Sequence, residues 1–91
     1  MTYEWDENKR MANLAKHELD FTDAFAVFED THRIDVVDNR RNYGEKRIRT
    51  IGKTQNEVIV AVIYTDRNGN FRIISVRRAN KKEKNLYYGY C

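Results

Sequence analysis

The chain has no proline, one cysteine, two histidines and no apolar run longer than a strand. Without proline or any low-complexity tract nothing marks a linker, so one domain over residues 1–91 is expected. Cys91 is the last residue and has no second thiol to pair with. That excludes an internal disulfide, fits a reducing, cytoplasmic setting, and leaves Cys91 as an idle thiol. The longest apolar stretch, Val58–Tyr64, is strand-sized and far short of a bilayer span. The N-terminus also lacks the charged-then-apolar layout of a signal peptide. His17 and His32 stand fifteen residues apart with no cysteine partner, so no metal-ligand spacing is visible and no cofactor is expected.

Charge is present in both signs but is unevenly placed. Residues 1–30 carry three basic and eight acidic groups, a net of −5, whereas residues 31–91 carry fourteen basic and six acidic groups, a net of +8. The basic half peaks in FRIISVRRANKKE, Phe71 to Glu83. Between Arg72 and Lys84 there are six Lys or Arg and a single acid, Glu83. Guanidinium groups on a strand end make a fixed anion site, because the planar fork matches phosphate oxygens and stays charged at any working pH. A phosphodiester backbone is the expected target, RNA or DNA, set against the plainer reading of a mixed solvated surface.

The periodicity predicts two short helices first. Asp6 caps one over Glu7–His17, with Met11, Leu14 and Ala15 at the spacing of a buried stripe. Phe21 stands as a staple before Thr22, the N-cap of a second helix lined by Ala24, Phe25, Val27 and Phe28. Strands are expected over His32–Val37, Glu45–Gly52, Val58–Asp66 and Phe71–Arg78. The loops between them use Asn39, Asn42, Gly44 and Gly69. Val58–Tyr64 is apolar on both faces and should lie centrally. Asn80 with Glu83 forms a capping box that starts a last helix through Leu86, Tyr87 and Tyr90. Tyr3–Trp5 is a further edge-strand candidate that the sequence does not decide. The order points to an α+β fold: two N-terminal helices, an antiparallel sheet of three to four strands and a C-terminal helix. One sheet face is covered by helices, and the other is left free for a ligand.

Four pieces of the chain, in order and with consistent gaps, resemble the BrnT family of type II toxins, and more distantly the RelE-like ribonuclease toxins. They are YEWDENKRMANLAKHELDF, the helix end VFED, EKRIRTIG, and RIISVRRANKKEKNLY. The resemblance implies a RelE-like α/β fold and metal-independent cleavage of RNA that inhibits translation. It also implies neutralisation by a DNA-binding, BrnA-like antitoxin whose complex represses its own operon, so operator DNA is met only through the antitoxin. The chain departs from the family pattern at Glu18, where glycine is usual and would cap the first helix in a left-handed conformation.

Cleaving RNA without metal drives the 2′-hydroxyl onto the adjacent phosphorus. A base takes the 2′ proton, cations stabilise the phosphorane, and an acid protonates the leaving 5′ oxygen. Arg77 is the expected phosphorane stabiliser, since it shares a strand face with Ser75; the alternative is a surface ion pair with Glu45. Glu45 and Arg47, two apart on a strand, face one side. Glu45 is either the base or the group that positions an arginine, because neighbouring cations depress its pKa. Lys46 and Arg49 are backbone-contacting or solvated, and Arg78, Lys81 and Lys82 extend the RNA contact. Lys16 and His17 close the first helix; His17 is either a proton shuttle or a cation placed by the macrodipole. His32 has no catalytic credentials. Tyr87, Tyr88 and Tyr90 either stack on bases or fill the core, and Trp5 either wedges the first helix or contacts RNA. Two other classes stay open: a catalytically silent module binding RNA or protein, and a toxin of the same fold aimed at DNA gyrase.

Overall fold

The computed structural model describes residues 2–38 and 44–89. The expected turn residues Asn39 and Asn42, and the terminal Tyr90 and Cys91, lie outside them. A short strand, β1 (Thr2–Glu4), leads into α1 (Glu7–His17). A 3₁₀ turn (Phe21–Asp23) then runs into α2 (Ala24–Glu29). Four strands follow, β2 (Ile34–Asp38), β3 (Arg47–Lys53), β4 (Ile59–Arg67) and β5 (Asn70–Arg78), before α3 (Lys81–Tyr88).

The strands form one sheet in the order β1-β5-β4-β3-β2, which puts the doubly apolar β4 in the middle as its composition requires. The sheet has five strands, not three or four, and it is mixed: β1 pairs parallel to β5, Tyr3 opposite Phe71. Burial fixes that edge strand, because the Tyr3 ring stacks on Phe25 at 4.7 Å and on Phe28 at 5.4 Å. The turn from β4 to β5 is the two-residue pair Asn68–Gly69, both at positive φ (56° and 88°), the geometry that matches strand twist.

The first helix is capped as expected: Asp6 Oδ1 accepts from the N–H of Asn8 at 2.8 Å and of Lys9 at 3.3 Å. Its buried residue is not the expected apolar stripe. Met11 and Leu14 are 59% and 41% exposed, and Ala15 is exposed too, whereas Asn13 is buried. The Asn13 amide donates to Val76 O at 2.8 Å and accepts from Val76 N at 3.1 Å. It thereby satisfies the Val76 N–H and C=O on the β5 edge, past residues 70–72 that pair with β1. The next cap is Asp20 instead of Thr22, in a reciprocal box with Asp23, and this places Phe21 inside the first turn and fully buried. Phe21, Leu19, Ala24 and Val27 pack on Val60, Val62, Ile73 and Val76 to make the main core. Gly52 lets α2 press on β3, since a Cβ there would stand 3.0 Å from Val27 Cγ1.

A bulge decides which face the β5 residues share. Ile63 pairs with Ser75 but Tyr64 pairs with Ile73, so Ile74 is the extra residue. Ile73 and Phe71 thereby join Val76 on the helix side, and Ser75 and Arg77 remain on the other. That second face is not left wholly free. A smaller cluster of Ile51, Ile59 and Ala79 packs with Tyr87, so α3 covers one end of it.

Candidate functional site

Alternation in β3 turns Arg47, Arg49 and Ile51 to the second face, and the pairings of Ile51 and Arg77 with Ala61 put Arg77 on the same side. The chain turns at Ala79–Asn80 and brings the first turn of α3 back over this surface. The Asn80 side chain accepts from Glu83 N at 2.8 Å, and Glu83 Oε1 accepts from Asn80 N at 2.9 Å. The expected capping box is therefore present, and it aims the Glu83 carboxylate at the arginines. Arg77 donates to both carboxylate oxygens, Nη1 to Oε1 at 2.7 Å and Nη2 to Oε2 at 2.9 Å. Arg49 Nη1 stands 3.3 Å from Oε2.

Glu83 is 2% exposed, while the Arg77 and Arg49 side chains keep 26% and 23% of their surface open to solvent. Burial pushes the Glu83 carboxyl up. The hydrogen bonds from Arg77 and the Asn80 N–H, with the charges of Arg77 and Arg49, outweigh it and leave the group below its ordinary value. The carboxylate is thus ionised and fully engaged. It acts as a fixed counter-ion that holds two guanidiniums side by side and is no proton acceptor. On the same face, Arg49 Nε and Thr65 Oγ1 are buried and have no hydrogen-bond partner among the described residues. Arg47 stands two residues along β3, opposite Asp38 in the β2–β3 register.

The far end of α3 is tied by a second carboxylate. The Tyr87 hydroxyl donates to Asp30 Oδ2 at 2.6 Å, and the same oxygen accepts from Lys53 N at 3.0 Å. Burial, the hydrogen bond to Asp30 and the Asp30 charge push the Tyr87 hydroxyl up to about 12. Tyr87 is therefore a structural ring, packed on Ile51, Ile59 and Ala79. Trp5 is likewise turned inward, edge-on to Phe21 at 6.2 Å and tilted on Phe25 at 6.1 Å.

The remaining expected residues are dispersed. Glu45 does not meet Arg77; it pairs with Arg67 at 3.4 Å, beyond the opposite end of β3. Arg78 is turned to the other face from Arg77 and is exposed, so the two consecutive arginines do not act as one fork. Lys46, Lys81 and Lys82 are exposed. Lys16 and His17 end α1, with Lys16 exposed and His17 half-buried, and neither makes an ion pair among the described residues. No three His, Cys, Asp or Glu among the described residues are grouped to hold a metal ion. From the sequence, Arg77 is read as a phosphorane stabiliser, Arg49 as a backbone-contacting or solvated charge, and Glu83 only as a cap; their meeting is not signalled, beyond the standing of Glu83 as the lone acid within the basic block.

The model of a family described as the ribonuclease toxin BrnT of type II toxin–antitoxin systems matches residues 5–83, a span that holds α1, the sheet from β2 to β5 and Glu83. The crystal structure of the Brucella abortus ribonuclease toxin BrnT is similar, with a TM-score of 0.66 and 32% sequence identity over 89% of this chain and all of that one. No curated protein matches the chain. A five-stranded sheet, its arginine face closed at one end by a carboxylate-bearing helix, is thus the form that this chain gives to the family to which it belongs, the BrnT ribonuclease toxins of type II toxin–antitoxin systems.

Proposed function

We propose that the chain cleaves RNA without a metal ion, with Arg77 and Arg49 gripping the scissile phosphate and Arg47 extending the grip along β3. The observation that carries this reading is the Glu83 clamp. It holds two guanidiniums in a fixed relation on an accessible sheet face, so they need no reorganisation as charge builds on the phosphorane. Lys81 and Lys82 support it. They occupy the first turn of α3, where the helix dipole disfavours cations by about 0.3–1 kcal/mol each. Cations retained there against the local field fit a polyanionic ligand. RNA is selected over DNA because the attacking group is the 2′-hydroxyl. His17 and Glu45 stay the candidates for proton transfer, and each must be approached by substrate, since among the described residues neither pairs with Arg77 or Arg49.

Incubating the purified protein with RNA in EDTA tests the reading. Fragments ending in 2′,3′-cyclic phosphate are expected; intact RNA contradicts it. A second reading is favoured by one observation: the carboxylate in contact with Arg77 and Arg49 is ionised and engaged. On that reading the same face binds RNA or a partner without cleaving, and intact but bound RNA is its signature. Neutralisation is proposed to come from a DNA-binding antitoxin that lays an acidic segment over the arginine face. The operon is then repressed by the complex.

A further inference from the structure

A groove of about 430 Å³ lies between the β3–β4 loop and α3, lined by Glu57, Val58, Ile59, Arg78, Lys84 and Tyr88. It uses the stripe of α3 next to the one that carries Glu83 and Tyr87, since Lys84 and Tyr88 are four residues apart on one side of the helix. Arg78, which plays no part in the Glu83 clamp, is exposed here and has no ion-pair partner among the described residues; the same holds for Lys84. Tyr88 is 50% exposed and meets Tyr87 near a right angle (centroids 5.4 Å apart, planes at 82°). Val58 and Ile59 give an apolar floor. Glu57, held at a left-handed φ of 63° and hydrogen-bonded from its N–H to Thr54 O, supplies the single carboxylate.

A flat ring, two cations with no ion pair among the described residues and one acceptor match a ligand with an aromatic face, an anion and N–H donors. We infer that the groove is a nucleotide subsite: a base lies against Tyr88, its phosphate sits between Arg78 and Lys84, and Glu57 accepts from the N–H edge of the base. This deepens the ribonuclease reading and rests on it, because the nucleotide belongs to the RNA strand that the arginine face cleaves. Arg77 and Arg78 face opposite sides of one strand end, so the strand passes around the start of α3, over Lys81 and Lys82. An acidic peptide fits the groove less well, because its carboxylates gain nothing from the ring and are repelled by Glu57. A carboxylate acceptor also favours guanine, with adjacent N1–H and N2–H donors, over uracil.

The test is titration of the full chain with 5′-GMP, 5′-UMP, guanosine and inorganic phosphate, followed by backbone amide shifts. GMP is expected to move Val58, Arg78, Lys84 and Tyr88 saturably, with UMP, guanosine and phosphate each about tenfold weaker. Tyr88→Ala and Arg78→Ala, both at exposed positions, should each weaken GMP about tenfold, and Glu57→Gln should narrow the preference over UMP. Shifts confined to the Arg49 and Arg77 region, equal binding by the variants, or phosphate binding as tightly as GMP each overturn the subsite. So does a groove that responds to the antitoxin and to no nucleotide. RNA cleavage on the same preparations separates the two claims. Cleavage without groove shifts rejects the subsite and spares the ribonuclease. Groove binding without cleavage does the reverse.

Discussion

Glu18 ends α1 at φ 59° and ψ 27°, the left-handed conformation that glycine adopts without steric cost. The chain therefore keeps the turn and carries the side-chain strain, about 1 kcal/mol. Glu18→Gly is expected to raise stability by about that amount in a denaturant titration, with α1 unchanged; no gain means that the glycine's extra unfolded-state freedom cancels the relief. Asn13 is the opposite case, a residue whose importance no periodicity signals. Its amide stands in for a missing strand at Val76 and also donates to Leu19 O at 2.9 Å, so Asn13→Ala strands the Val76 N–H and the carbonyls of Val76 and Leu19 and should cost about 2–3 kcal/mol. An apolar pattern reads side chains that want burial; it does not register a polar side chain recruited to finish a sheet edge. That is why Met11 and Leu14 were expected inside and Asn13 was not.

The elements themselves were largely legible. Periodicity and capping residues place α1, the four long strands, the hairpin loop that uses Gly69 and the start of α3. What escaped was decided between elements. The parallel pairing of β1 depends on aromatic partners more than twenty residues away. The bulge at Ile74 depends on β4. The position of α3 depends on two carboxylates, and these have a consequence in acid. Glu83 and Asp30 both titrate below their ordinary values in the folded chain. A depressed carboxyl contributes stability that is present above its unfolded pKa, about 4, and is lost as pH falls through the folded one. Both ends of α3 should therefore loosen below pH about 4 while the main core, which has no buried carboxylate, persists. Amide exchange resolved by residue checks this: α3 exposed ahead of β4 is expected, and simultaneous loss of both would show that α3 is not held by these ties.

At the scale of the whole molecule the charge asymmetry becomes a binding property. The acidic first third and the basic remainder (−5 and +8) put the arginine face and the α3 lysines within one positive field. RNA affinity should fall steeply with salt because binding releases counterions, and antitoxin affinity should fall with it if an acidic segment covers the same face. Antitoxin binding that ignores salt would place the partner on apolar surface instead, such as the exposed Met11 and Leu14 of α1.

The central claim is that the guanidiniums set by Glu83 stabilise the breaking phosphodiester. The most direct measurement is single-turnover RNA cleavage in EDTA by the wild type, Arg77→Lys and Arg77→Ala, each first shown folded by its amide spectrum. A loss of at least about 10²-fold in Arg77→Ala, only partly recovered in Arg77→Lys because the fork is absent, is the predicted result. Cleavage by folded Arg77→Ala at the wild-type rate would contradict the account.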